Sequence, residues 1–198
     1  MVAQLVPADL AGTALVVIDF QRGVLEGCHD AHGVVHRTAQ LVEHARSSGL
    51  PVVWVQDHGD FPIGTSGWQL ADGLAVGHGE HLIRKTYRDS FAETDLHQIL
   101  QGLGVRRLLV AGAQSDYCIR TTTQAAAVHG YDVTLVSDCH TTVDAEFDGT
   151  LITAKQIIAH TNMYFSGLRY PGSQFGILTA AQAIAKPARV PAEATEQR

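Results

Sequence analysis

Cysteines, basic residues and long apolar runs are all scarce in this sequence, and each scarcity excludes a class of protein. The 198 residues include three cysteines, an odd number without paired spacing, which favours a reducing compartment over a disulfide-stabilised fold. No apolar run approaches the roughly 20 residues that cross a bilayer, and no charged leader precedes an apolar segment. We therefore expect a cytoplasmic protein.

The charge balance argues against nucleic-acid and membrane partners. The formal net charge is −6, and the basic residues form no stripe along the chain. The sequence also has no internal repeat and no low-complexity tract. A chain of 198 residues that is 45% hydrophobic suits one globular domain, which we place at residues 1–185, followed by a polar tail at 186–198.

Alternating strands and helices predict an α/β fold. Short apolar, β-branched runs predict strands over 13–18, 52–55, 81–84, 108–111, 132–136 and 175–179, the last at an edge. Apolar residues at helical spacing predict helices over 33–48, 91–102, 116–130 and 149–161. This alternation implies a mostly parallel sheet of about six strands in a three-layer αβα sandwich. A long glycine-rich loop is expected over 57–79.

Three polar residues fall at the carboxyl ends of the predicted strands. Asp19 follows the first strand, Lys85 follows the third, and Cys118 lies just beyond the fourth. In an open parallel sheet, ligands bind outside these ends, near the point where the strand order reverses. We therefore expect a carboxylate, an ammonium and a thiol to face one crevice.

The segment after the fourth strand gives Cys118 a reason to be reactive. Asp116 is a good N-cap, which would place Cys118 in a first helical turn, where free N–H groups and the helix dipole favour a thiolate. Inert interpretations also exist: Cys118 as a small buried apolar residue, Asp19 as a turn cap, and Lys85 as part of a solvated positive face. The convergence of all three residues favours chemistry.

Four segments of the sequence resemble the isochorismatase-like cysteine hydrolases. They are ALVVIDFQRG, HLIRKTYRDSF, VAGAQSDYCIRTTTQAA and YDVTLVSDCHTT, which match in register from about residue 14 to residue 142. The resemblance implies a Rossmann-like sheet and a homo-oligomer, a dimer or larger. It also implies that Asp19, Lys85 and Cys118 form a catalytic triad.

The same resemblance implies an activity. Hydrolases of this family cut C–N bonds of amides, ureides or carbamoyl groups, so we expect a cysteine-dependent amidohydrolase acting on a small molecule, without a cofactor. Cys118 would attack the carbonyl, Asp19 would carry protons, and Lys85 would stabilise the thiolate. The backbone N–H groups of Gln114 and Cys118 would form the oxyanion hole, preceded by a cis peptide between Ala113 and Gln114.

Three other functions stay open on the sequence alone. One is hydrolysis of the isochorismate vinyl ether, although members with that activity usually lack the cysteine that Cys118 matches. Another is a binding or regulatory module that kept the fold without the reaction. The third is a redox-active thiol protein, which needs a resolving cysteine close by. We expect a structural role for Cys139 and assign none to Cys28.

The sequence indicates the substrate contacts and metal ligands less strongly than it indicates the three strand-end residues. The aromatic and amide side chains nearest the expected crevice in sequence are Phe20, Gln21, Trp68, Tyr87 and Tyr117, with Trp68 as a lid or wall.

The nicotinamidase branch of the family binds a metal through an Asp-x-His pair. Here Asp57 and His58 are adjacent and would point in different directions from an extended backbone. We therefore predict no catalytic metal.

Overall fold

The computed structural model describes residues 11–185, so the tail expected at 186–198 lies outside the described residues. The strands are β1 (Thr13–Ile18), β2 (Val52–Asp57), β3 (His81–Lys85), β4 (Arg107–Ala113), β5 (Asp132–Thr141), β6 (Ala145–Phe147), β7 (Thr150–Ile152) and β8 (Phe175–Leu178). The helices are α1 (Arg22–Leu25), α2 (Ala31–Ser47), α3 (Leu96–Gly102), α4 (Arg120–Val128), α5 (Ala154–Gly167) and α6 (Ala180–Ile184), and a π-helical turn spans Ser115–Ile119.

Six of the strands form one parallel sheet in the order β3-β2-β1-β4-β5-β8, with helices packed on both faces. Leu15 and Val17 of β1 pack in one apolar cluster with α2 and α6, whereas Val16 and Ile18 pack in a second cluster with α3, α4 and α5. A strand covered on both faces needs apolar side chains at every position, which explains its continuous apolar sequence. The predicted three-layer α/β sandwich with an edge strand at its end is confirmed.

Three helices begin later than predicted. Helix α4 begins at Arg120, after the π-helical turn, and the other two begin late because local side chains hold the backbone in another conformation. The segment that precedes α3 forms a turn in which Thr94 donates a hydrogen bond to the carbonyl of Ser90. The helix predicted to start at 149 starts at Ala154, after a hairpin of β6 and β7, where Thr153 and Gln156 form a capping box. Short polar motifs therefore set these boundaries more strongly than apolar spacing does.

Strand β5 is twice as long as predicted, running over 132–141 rather than 132–136. Its pairing with β4 shifts register after Val110, and beyond that shift His140 lies opposite Gly112 and Thr141 opposite Ala113. The second half of β5 therefore lies beside the end of β4.

The strand order reverses between β1 and β4, where Ile18 lies opposite Gly112. A Cβ atom at Gly112 would overlap the carbonyl oxygen of Ile18, so the two strands approach closely only because this residue is glycine. Asp19 directly follows β1 and adopts a left-handed conformation with φ 54°. The fold thus places Asp19 next to the chain that leaves β4.

The predicted long loop occupies residues 58–80 between β2 and β3. It is tied to the segment after β1 by backbone hydrogen bonds from Ala71 N to Phe20 O (2.8 Å) and from Gly23 N to Gly67 O (3.0 Å). These bonds hold the middle of the loop beside the sheet. None of the helices between residues 11 and 185 is long and apolar enough to cross a membrane.

Candidate active site

Cys118 lies in the π-helical turn between β4 and α4 and has 2% of its surface exposed. The peptide bond between Ala113 and Gln114 is cis, as the resemblance implies. The prediction that Asp116 caps a helix is wrong, since Gln114 occupies the N-cap position and Asp116 Oδ1 accepts a hydrogen bond from Thr142 Oγ1 (2.6 Å). Cys118 therefore belongs to a π-helical turn and not to a first α-helical turn.

The three strand-end residues meet, as predicted. Lys85 Nζ lies 2.7 Å from Asp19 Oδ2 and 3.4 Å from Cys118 Sγ. The side chains of Asp19 and Lys85 are 1% and 0% exposed, so the charge pair is shielded from water. Ion pairs in such surroundings are strong because little solvent screens them. A carboxylate, an ammonium and a thiol thus form one buried cluster.

The pKa of the thiol in this cluster is raised, whereas a position in a first helical turn was expected to favour the thiolate. Burial, and next the Asp19 carboxylate, raise the pKa of the Cys118 thiol to about 12, although Lys85 opposes them. Burial also raises the pKa of Asp19, against the attraction of Lys85. Burial lowers the pKa of Lys85, but attraction to Asp19, Cys118 and Asp57 outweighs it, so the net shift is upward. The sulfur therefore needs a base to lose its proton, and Asp19 lies beside it.

Two further charged residues border the cluster and were missed as parts of the site. Asp57, at the end of β2, has Oδ2 3.8 Å from Lys85 Nζ and 4.0 Å from Arg88 Nη1. Arg88 also pairs with Asp60 (3.2 Å). Burial lowers the pKa of its guanidinium, but attraction to Cys118, Asp60 and Asp57 outweighs it, so the net shift is upward. The position of Asp57 at a strand end was the signal that could have identified it.

Two of the residues predicted to contact substrate are buried and contact other parts of the protein instead. Phe20 is fully buried and packs in the apolar cluster with α2, whereas Cys118 packs in the cluster on the other face of the sheet. The prediction that Phe20 lines the crevice is therefore wrong. Gln21 is also fully buried, and its amide donates to Asp57 O (2.8 Å) and accepts from Asp57 N (2.7 Å). Its role is to join the ends of β1 and β2 rather than to bind substrate.

The remaining aromatic candidates stay available for contacts. Tyr87 and Tyr117 are 50% and 48% exposed, and the guanidinium carbon of Arg88 lies 5.2 Å from the centre of the Tyr117 ring. The carbonyl of Trp68 accepts a hydrogen bond from Gln56 Nε2 (2.7 Å), which fixes the loop beside β2. The substrate roles of these three aromatic residues stay predictions.

The proposed oxyanion residues stand at the start and middle of the same turn. The carbonyl of Gln114 accepts hydrogen bonds from the N–H groups of Tyr117 (3.2 Å) and Ile119 (3.1 Å). Its side-chain amide reaches the carbonyl of Val24 (3.4 Å) in α1. The backbone of this turn is therefore held from both sides, while the oxyanion role of Gln114 and Cys118 stays a prediction.

The surroundings of Asp57 bear on the metal question. One oxygen of Asp57 accepts the N–H groups of Gly59 (2.7 Å) and Asp60 (3.1 Å), and the other faces Lys85 and Arg88. Within residues 11–185, no group of three or more His, Cys, Asp or Glu residues is placed to hold a metal ion.

Comparison with known proteins agrees with this geometry. A model of the isochorismatase domain matches residues 13–160, a range that includes Asp19, Lys85 and Cys118. The chain belongs to the isochorismatase family. The resemblance stated above is thereby confirmed, and the protein is a hydrolase-family member with the family's α/β fold.

Several relatives of this isochorismatase-family protein have names or structures. A streptothricin hydrolase of Streptomyces noursei is 37% identical over 139 residues, which are 66% of this chain and 50% of that protein. The chain thus spans about half the length of that relative. A probable inactive nicotinamidase of Arabidopsis thaliana is 32% identical over 154 residues, 64% of this chain and 79% of that protein. The crystal structure of an isochorismatase from Pseudomonas putida KT2440 matches with a TM-score of 0.79 and 31% identity, covering 88% of this chain and 91% of that chain.

Proposed function

We propose that this protein is a cysteine-dependent amidohydrolase with Cys118 as the nucleophile. The observation that carries the proposal is the buried cluster in which Lys85 Nζ contacts both Asp19 Oδ2 (2.7 Å) and Cys118 Sγ (3.4 Å). A nucleophile, a proton acceptor and a cation at these distances are the groups that acyl transfer to sulfur requires.

The first half of the reaction acylates the cysteine. The thiol proton moves to Asp19 as Sγ bonds to the substrate carbonyl carbon, and the carbonyl oxygen becomes an oxyanion near the N–H groups of Gln114 and Cys118. The oxyanion then collapses, the C–N bond breaks, and Asp19 gives its proton to the leaving nitrogen. The products of this half are a free amine or ammonia and a thioester on Cys118.

The second half hydrolyses the thioester. Asp19 takes a proton from a water molecule, the water oxygen bonds to the acyl carbon, and the C–S bond breaks. The sulfur recovers a proton from Asp19, and the carboxylic acid leaves. The raised pKa of Asp19 makes it a stronger base than an exposed aspartate, and Lys85 keeps it charged despite its burial.

The substrate class we propose is a small amide, ureido or carbamoyl compound. The similarity to a streptothricin hydrolase supports the hydrolysis of a small molecule and makes streptothricin one compound to test. The half-exposed rings of Tyr87 and Tyr117 and the guanidinium of Arg88 would contact the part of the substrate that lies outside the buried cluster.

A substrate screen with mass detection tests the proposal. We expect the wild type to release ammonia or amine from at least one compound in a panel of amides, ureido acids, carbamoyl compounds and streptothricin. Intact-mass measurement at early times should find the acyl group on Cys118. The variant Cys118→Ala should lose turnover, while Cys139→Ala, which removes another buried thiol, should keep it. Turnover that survives in Cys118→Ala, or a panel with no substrate at all, would count against the proposal.

The homo-oligomer, the cytoplasmic location and the single domain over residues 1–185 stay predictions. They do not enter the chemistry proposed for Cys118.

A further inference from the structure

A buried chain of hydrogen bonds leads from α5 to the turn that carries Cys118. Ser115 Oγ lies 2.8 Å from His140 Nδ1, and His140 Nε2 lies 3.1 Å from Asn162 Oδ1. Asn162 Nδ2 in turn donates to the carbonyl of Ser137 (3.0 Å). Ser115 is 0% and His140 is 1% exposed, so neither exchanges these partners for water.

The donor and the acceptor of each hydrogen bond in this network follow from its last group, the carbonyl of Ser137. The carbonyl of Ser137 can only accept, so the NH₂ group of Asn162 faces it and the amide oxygen faces His140. His140 Nε2 must then carry the hydrogen, which leaves Nδ1 as an acceptor and Ser115 as the donor to it. Burial lowers the pKa of His140, which agrees with a neutral ring. The network has one consistent arrangement, with all its members satisfied.

This network ends at the first residue of the π-helical turn. Ser115 directly follows Gln114 and lies three residues before Cys118, and both backbone N–H groups assigned to the oxyanion belong to this segment. A second contact comes from the residue that directly follows β5, where Thr142 donates to Asp116 in the turn. The extension of β5 beyond its predicted end is what brings these side chains to the turn.

Ser115, His140 and Asn162 contain the atoms of a serine-nucleophile triad, yet their burial favours another role. Ser115 has no exposed surface, and the segment it belongs to presents Cys118 to Asp19 and Lys85. A serine that donates its proton to a neutral imidazole, out of reach of solvent, fixes the backbone on which it stands.

We propose that His140 is a positioning residue that acts through Ser115 to hold the N–H groups of Gln114 and Cys118 where the oxyanion forms. The inference rests on the proposed function, because it names the support of that function's oxyanion hole. Its consequence is that loss of the Ser115–His140 bond weakens binding of a tetrahedral oxyanion more than it changes the reactivity of the sulfur.

Two reagents separate these effects without requiring a known substrate. A small aldehyde such as propionaldehyde adds to a thiol, forming an S–C bond while the carbonyl oxygen takes up charge or a proton, so its affinity depends on the oxyanion donors. Iodoacetamide alkylates the sulfur by displacing iodide and forms no oxyanion. Aldehyde affinity is measured as protection of Cys118 against a short iodoacetamide pulse, with peptide mass spectrometry identifying the modified cysteine.

The variants are chosen to cut one bond of the network at a time. Asn at position 140 places its amide oxygen near the site of Nδ1 and can still accept from Ser115, whereas the longer Gln places its amide near the site of Nε2 and cannot. We expect H140Q and Ser115→Ala to lose aldehyde affinity by about 10-fold or more and H140N by less than about 3-fold, with iodoacetamide rates within about 3-fold of wild type in all three. H140N and H140Q each bury one amide, so a general packing defect would affect them alike.

The chain offers a matched control for loss of a hydroxyl–imidazole bond. Tyr131 Oη lies 2.9 Å from His97 Nδ1, directly before the amino end of β5, and Tyr131→Phe removes this bond. We expect it to leave aldehyde affinity unchanged. The inference is overturned if H140Q and Ser115→Ala bind aldehyde as the wild type does, if H140N loses as much as H140Q, or if the wild type binds no aldehyde at Cys118. Failure of the amidohydrolase proposal would appear separately, as absence of turnover in the substrate panel.

Discussion

Cys118 and Cys139 are two buried thiols with the same acidity and different surroundings. Cys118 is 2% exposed and Cys139 is 0% exposed, and burial is the first cause that raises the pKa of each to about 12. Both pKa values lie well above neutral pH. Acidity alone therefore does not distinguish a nucleophile from a structural cysteine in this fold.

The difference lies in what the neighbouring carboxylate is bonded to. Asp138, next to Cys139, accepts a hydrogen bond from Ala180 N (2.7 Å) and lies 3.8 Å from Arg37. Asp19, next to Cys118, contacts Lys85 through Oδ2, and within residues 11–185 its Oδ1 has no hydrogen-bond partner. A thiol can become reactive where a carboxylate oxygen is free to receive its proton. The comparison supports the proposed site at the end of β1 over one inside β5.

Removing the proton acceptor should have the largest effect. We expect Asp19→Asn to lower kcat/KM for any substrate found in the panel by about 10³-fold, within the usual range for loss of a positioned acid–base group. The amide has nearly the same size, so Cys118 stays in place but has no base. The matched variant Asp138→Asn, beside Cys139, should stay within about 3-fold of wild type. Equal losses in both variants, measured with thermal unfolding as a folding check, would mean that the two carboxylates do not differ in function.

The sequence was sufficient to predict which three residues meet in the buried cluster. Asp19 and Cys118 follow apolar strands and Lys85 ends β3, and parallel strands bring their carboxyl ends to one edge, so the meeting of these residues follows from topology. Predicting this meeting required no knowledge of side-chain conformations.

What the sequence could not predict depends on tertiary contacts that have no local pattern. His140 reaches Ser115 because β5 shifts register and continues past its predicted end, and a single register shift is not visible in apolar periodicity. Phe20 was placed in the crevice because it follows Asp19, but its ring packs in the apolar cluster on the face of the sheet opposite Cys118. Arg88 was not assigned to the site, since the carboxylates that it pairs with, Asp57 and Asp60, come from another strand end.

Brief alkylation should also distinguish the cysteines, although the expected difference in rate is smaller than the loss of activity in Asp19→Asn. We expect iodoacetamide near pH 7 to modify Cys118 at least about 10-fold faster than Cys139 or Cys28, because Lys85 Nζ lies 3.4 Å from its sulfur and pairs with Asp19, whose Oδ1 has no hydrogen-bond partner within residues 11–185. Burial raises the pKa of Cys28 to about 11, so its acidity gives it little advantage. Peptide mass spectrometry after a timed pulse gives the three rates. In Asp19→Asn the rate at Cys118 should fall towards that of Cys139, and modification of Cys139 first would contradict the distinction.

The smallest effect should be on stability at high pH, where the two thiols should behave alike. Each has a folded-state pKa of about 12 against an ordinary value of 9.0, so the folded protein holds these protons more tightly than the unfolded chain does. Each thiol therefore contributes stability that is fully present below pH 9 and is lost as the pH rises through about 12. The slope is about 1 kcal/mol per pH unit for each thiol in this window.

Urea unfolding of Cys118→Ala and Cys139→Ala between pH 7 and pH 11 measures that slope. Each substitution leaves a cavity, and the cost of that cavity in the free energy of unfolding does not depend on pH. Loss of the titrating thiol does depend on pH, because the free energy of unfolding then falls less steeply above pH 9, by about 1 kcal/mol per pH unit. We expect the same change of slope in both variants, although only Cys118→Ala loses turnover. A change of slope in Cys118→Ala alone would mean that Cys139 titrates normally, and the two thiols would then differ in acidity as well as in their access to a base.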